Sequence, residues 1–179
     1  MLNIIDCKSF VQTHISRFSE LYLTTSRNNL KSTREICQHN ARVARSLNRN
    51  IVCSMWQTLS IILEGSDSGA LKKTNKPLES ALSFILLGTL QTLLLQRADA
   101  GDVQTCVVIC EVMGVILPPE KTGDPAKSAL PDVGIEIIRE WYLSYIDLLQ
   151  QMCLFTQAAS LIKNCHDPVI GALNQQSTT

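Results

Sequence analysis

Apolar residues recur at intervals of three and four along most of this chain, and strict apolar–polar alternation is nearly absent. That period belongs to helices with one buried face. The first such stretch covers residues 6–23, where Phe10, His14, Phe18, Leu21 and Tyr22 form one stripe. Residues 26–30 interrupt it. Ser32-Thr33-Arg34-Glu35 then reads as a capping box, in which the Ser32 side chain accepts from the Glu35 backbone and Glu35 reaches back. It predicts a helix presenting Ile36, Asn40, Val43, Ala44 and Leu47 on one face. Residues 48–50 are a short turn, and 51–63 predict a third helix with the stripe Val52, Met55, Trp56, Leu59 and Leu63. So short a connection makes the second and third helices an antiparallel hairpin.

Residues 65–77 are rich in Ser, Gly, Lys and Asn and predict a loop. Pro77 suits the first turn of the next helix. That helix, 78–100, is apolar on nearly all sides and is expected to be central. Gly101 stops it and Asp102 caps a short apolar helix at 103–113. Residues 114–131 form a second loop, carrying Pro118, Pro119, Gly123, Pro125 and Pro131. A long helix follows at 132–151, with Ile135, Ile138, Trp141, Tyr142, Tyr145, Leu148 and Leu149. A shorter one at 155–163 is broken by His166-Asp167-Pro168, and 174–179 read as a polar exit. The pattern predicts an all-α protein: residues 1–179 form a single irregular α-solenoid segment of about seven antiparallel helices, with mobile loops near 65–77 and 114–131. Regular tetratricopeptide or armadillo repeats are unsupported, because no fixed period recurs.

Composition narrows the function. In 179 residues Lys+Arg number 16 and Asp+Glu 16, so the formal net charge is zero. A generic nucleic-acid or polyanion binder needs an excess of Lys and Arg. An apolar content of 45% excludes disorder over the whole chain. The cysteines, seven in number, mostly sit inside apolar helical runs, which fits reduced thiols in a core rather than a secreted disulfide scaffold. Asp6 and Lys8 fall where the apolar region of a signal peptide would lie. The most apolar stretch, 81–95, is shorter than the roughly twenty residues of a membrane span, so a buried core helix is expected there.

Candidate chemistry is sparse. Cys106 and Cys110 share a helix face and could begin a zinc site, but about four ligands are needed and no nearby motif supplies the others. Cys37 and His39 stand two apart, so they point to different faces. A Cys–His nucleophile would need one of His14, His39 or His166, and nothing in the sequence requires such a pairing. No phosphate-binding glycine loop occurs. Lys72, Lys73 and Lys76 read as a solvated loop tip, with a phosphate or membrane-surface contact as the other reading. His39-Asn40 reads as a polar pair satisfying backbone groups beside a packing surface. Trp141, Tyr142 and Tyr145, extended by Ile138 and Leu148, are the most distinctive cluster: a core ridge, or an interface hot spot.

Three stretches resemble the C-terminal half of the WD repeat-containing protein 24 family, a subunit of the second GATOR complex (the SEA complex in fungi). One is Cys37-Gln38-His39-Asn40-Ala41-Arg42-Val43-Ala44, with Leu47 and then Trp56-Gln57. Another is Gly101-Asp102-Val103-Gln104. The third and most specific is Glu140-Trp141-Tyr142-Leu143-Ser144-Tyr145-Ile146-Asp147-Leu148-Leu149-Gln150, followed later by Leu173-Asn174-Gln175-Gln176-Ser177-Thr178-Thr179, which in the family leads into a RING-like zinc domain. The resemblance is read over most of the chain, leaving both loops unmatched.

The resemblance implies the family's α-solenoid without its β-propeller or zinc module, so neither ubiquitin-ligase chemistry nor propeller contacts carry over. It implies a non-catalytic scaffold in a complex that promotes amino-acid signalling to TOR complex 1 by opposing a Rag GTPase-activating complex. The expected partners are the other subunits of that complex, with no nucleic acid, no membrane span and no cofactor or metal in this segment. The expected place is cytoplasmic, at the lysosomal surface through the complex. His39, Asn40, Val43, Trp56, Trp141, Tyr142 and Tyr145 are the packing or interface candidates, and no residue is expected to be catalytic. The alternatives are a generic helical adaptor and a cysteine-dependent or metal-binding helical protein.

Overall fold

The computed structural model describes residues 21–24, 32–67, 76–115, 130–165 and 167–176. All the regular structure among them is helical. In chain order the helices are α1 (Thr33–Ser46), α2 (Asn50–Asp67), α3 (Lys76–Asp99), α4 (Val103–Met113), α5 (Ile135–Gln151), α6 (Phe155–Asn164) and α7 (Pro168–Gln176). The expected stripe at Phe10, His14 and Phe18 lies outside the described residues, as do most of both expected loops, Cys7 and His166.

Local chemistry sets most boundaries. The capping box forms: the Ser32 hydroxyl accepts from the Glu35 N–H at 3.3 Å, and the Ser32 N–H donates to the Glu35 carboxylate at 2.9 Å. The Asp102 carboxylate accepts from the Thr105 N–H and opens α4. Four helix C-termini close in one way. At the cap or just after it, one residue turns left-handed: Asn48 (φ 57°), Gly101 (φ 80°), Gly114 (φ 66°) and Cys153 (φ 58°). Two backbone bonds then run back into the helix, as in Asn48 N–H to Arg45 O (3.0 Å) and Arg49 N–H to Ala44 O (2.9 Å). The same pair recurs at Gly101 and Asp102, at Gly114 and Val115, and at Cys153 and Leu154. These ends turn α1 into α2, α3 into α4 and α5 into α6, giving successive hairpins.

Consecutive helices pack on one another throughout, and α4 also reaches α1 while α7 reaches α5. The expected stripes become core. On α1, Ile36, Asn40, Val43 and Ala44 are buried; on α2, so are Val52, Met55, Trp56 and Leu59. Burying each large aliphatic side chain contributes about 1.5–3 kcal/mol.

Several elements differ from expectation. Helix α2 continues through Glu64 and Gly65 to Asp67, because one glycine near a helix end costs only about 1 kcal/mol. Helix α3 begins at Lys76, with Pro77 in its first turn. Helix α5 begins at Ile135 rather than 132; before it, Leu130 and Val133 are buried and linked by Val133 N–H to Leu130 O at 3.1 Å. In place of a polar exit at 174, α7 runs from Pro168 to Gln176.

The central helix is not α3. Its first half exposes Leu82 (51%), Phe84 (72%) and Ile85 (62%), and its buried residues, Leu90, Gln91 and Leu94, lie in the second half. The reason is length. At about 1.5 Å per residue, α3 with 24 residues outruns α4 with 11, on which its second half packs. The buried centre is α4, where residues 104–110 are all buried.

Candidate functional site

The polar groups that sequence singled out fall into two sets. The first lies on the α1–α2 hairpin. Asn40 is fully buried, and its carboxamide grips a single residue of the non-helical segment 22–24: Oδ1 accepts from the Leu23 N–H and Nδ2 donates to the Leu23 carbonyl, both at 2.9 Å. His39 Nε2 lies 3.0 Å from the Leu21 carbonyl. Between these anchors Tyr22 is 3% exposed, its ring tilted against Trp56 with centroids 5.8 Å apart. Burial pushes the Tyr22 phenol up to about 12, against the opposing pull of Arg49. Val43 packs in the same core.

The second set joins α4 to α5. Trp141, Tyr142 and Tyr145 are all buried, as a core ridge requires. Gln104 Nε2 donates to the Tyr145 hydroxyl at 3.0 Å, and the Tyr142 hydroxyl donates to Glu111 Oε1 at 2.8 Å. Burial first, and then the Glu111 charge, drive the Tyr142 phenol far above its ordinary range. The two sets meet at a small cleft, where Tyr22 and Thr24 face Val108, Glu111, Tyr145 and Ser160.

Three ion pairs went unread in the sequence, and one of them, Arg139–Asp167, is buried on both sides. Arg49 pairs with Asp102, so the residue that caps α4 also ties α4 to the first hairpin. Arg139 donates through Nε to Asp167 at 2.9 Å and through an Nη to Glu136 at 2.5 Å. Asp167 Oδ1 meanwhile accepts from the Val169 and Ile170 N–H groups, capping α7. The signal was present, since an acceptor side chain before Pro168 is a helix-start pattern. Its reading as a breaker alone hid both the cap and the ion pair.

Cys37, Cys53, Cys106 and Cys110 are buried, Cys165 is half-buried and Cys153 is exposed. Burial pushes Cys37 and Cys106 up to about 12 and Cys165 to about 11, and drives Cys110 higher still. The Cys106 thiol donates to the Leu94 carbonyl at 3.3 Å. Nucleophilic attack and metal ligation need the thiolate, which these surroundings disfavour. Among the described residues no group of three or more His, Cys, Asp or Glu side chains could hold a metal ion. The stretch Ala81–Asp99 is long and apolar enough to cross a membrane by length and composition alone. It also packs Leu90, Gln91 and Leu94 into the protein core.

Hairpins with an apolar interior, crossed by a few internally paired polar groups, define an all-α packing module. No family model matches the sequence. Over 83 residues, 45% of this chain, it is 32% identical to the GATOR2 complex protein WDR24 of Dictyostelium discoideum. Against the proteins of that name from Gallus gallus and Homo sapiens, identity is 37% over 86 residues and 32% over 82. These matches support a relationship to the WDR24 family over about half of this chain, less than the resemblance had suggested. They span 7%, 10% and 9% of those proteins.

Proposed function

We propose that this chain is a non-catalytic scaffold element of a GATOR2-type assembly, built as an irregular α-solenoid. The observation that carries the reading is its similarity to WDR24 proteins of three organisms. The side-chain chemistry is consistent with it, since buried Asn40, Gln104, Arg139 and Asp167 are spent on a helix end and on bonds between segments. Binding energy then comes from apolar and aromatic area rather than from a reacting centre. In this reading the chain docks against other subunits of the complex in the cytoplasm, at the lysosomal surface. There it serves amino-acid signalling to TOR complex 1 by opposing the Rag GTPase-activating complex. It needs neither a cofactor nor a metal for this.

The test is affinity capture of the tagged chain from cells, with mass spectrometry of what co-purifies. The other GATOR2 subunits are expected in the captured material. Their absence from a folded sample would overturn docking by this chain. Stoichiometric zinc in the purified protein would overturn the metal-free part of the reading.

A further inference from the structure

Asn40 does more than fill a buried position. Its carboxamide takes both the N–H and the C=O of Leu23, as a neighbouring strand would. A residue offers those two groups on one side only when its backbone is extended. His39 takes a third backbone group, the Leu21 carbonyl, and Trp56 receives the Tyr22 ring between them. Three of these four contacts read backbone and are blind to sequence; the fourth reads an aromatic side chain. The gripped residues lie 17 and 18 positions from Asn40 and His39, so the clamp is formed by the hairpin and its occupant comes from elsewhere in the chain.

We infer that Asn40, His39 and Trp56 form a peptide clamp. It accepts an extended, uncharged segment of a protein partner in which an aromatic residue precedes an aliphatic one. Residues 21–24 hold it in cis. A partner segment of that chemistry exchanges with them, so occupancy of the clamp is set by competition between the two. This inference stands apart from the assembly proposed above and does not depend on it.

The probe is a fluorescein-labelled, capped peptide of the sequence Leu21–Thr25, followed by fluorescence anisotropy against the full-length chain. Tyr22→Ala removes the aromatic anchor of the cis segment and leaves the clamp intact. The variant is expected to bind the peptide saturably, and the wild type at least about tenfold more weakly, because a tethered competitor acts at roughly millimolar effective concentration. N-methylation at the Leu23 position of the peptide is expected to cost about tenfold or more, since Asn40 Oδ1 then loses its donor. Leu23→Pro in the full chain, which deletes the same N–H in cis, gives a second route to a vacated clamp if Tyr22→Ala lowers helix content by circular dichroism. Equal binding to wild type and vacated variants overturns the inference. So does indifference to N-methylation, or no binding to a vacated variant that keeps its helix content.

Discussion

Helices α3 and α4 are joined by a short turn, and both are apolar, yet they end in opposite surroundings. Helix α4 is enclosed along most of its length, from Gln104 to Cys110. Helix α3 buries Leu90 and Leu94 but leaves Phe84 and Ile85 in solvent. What differs is how much neighbour each one has. Helix α4 touches α1, α3 and α5, whereas α3 has α2 and the short α4. Apolarity therefore fixes that a residue can be buried, and the lengths of adjacent helices fix whether it is. The exposed end of α3 gathers Leu82, Phe84 and Ile85, three of the large apolar side chains that the described residues leave in solvent.

That contrast can be broken or sharpened by experiment. Ile109→Ala, at 0% exposure in α4, is expected to cost the most, about 2–5 kcal/mol by urea denaturation. A cost below about 1 kcal/mol would mean that α4 is not the packed centre. Trp141→Ala removes a neighbouring part of the same core and is expected to cost on the order of 3 kcal/mol. Unchanged stability with lost partner capture would make Trp141 an interface residue instead.

The buried thiols give a graded test. Burial raises Cys37 and Cys106 from 9.0 to about 12, so folding favours their protonated forms. Their contribution is whole below pH 9.0 and is lost as pH rises through about 12. Urea midpoints are expected to be flat near neutral pH and to fall above it; a rise with pH would contradict the assigned burial. Cys153→Gly should raise stability by up to about 1 kcal/mol, because a left-handed residue without Cβ is unstrained. Thermal melting under reducing conditions would register the gain, and a loss would remove the strain argument. Smallest of all, Ile85→Ser on exposed α3 should change stability by less than about 0.5 kcal/mol, and a cost like that of Ile109→Ala would erase the contrast between the helices.

What could be read from sequence was local. The start of α1 and both ends of α4 follow from Ser32 with Glu35, from Asp102 and from Gly114, each acting within a few residues of itself. The hairpin stripes were legible because burial there repeats with the helical turn. Position in the fold was not. That α3 flanks the core depends on the length of α4, and no pattern within α3 carries it. The Arg139–Asp167 pair spans 28 positions and the Asn40–Leu23 grip spans 17, so each residue type gave only half of the interaction. Asn40 was recognised as a polar group that satisfies backbone, but which backbone was not readable. Similarly, the spacing of Trp141 and Tyr145 fits a core ridge or an interface hot spot alike, while Gln104, the partner of Tyr145, looks like any polar residue near a helix start.

The common geometry of the helix ends has a consequence for how such a protein can change over time. Asn48, Gly101, Gly114 and Cys153 share a backbone conformation and share almost no chemistry. Descendants could substitute these corners freely within the tolerance for a left-handed residue while every hairpin kept its direction. The direction of each turn is then inherited as shape and erodes as spelling.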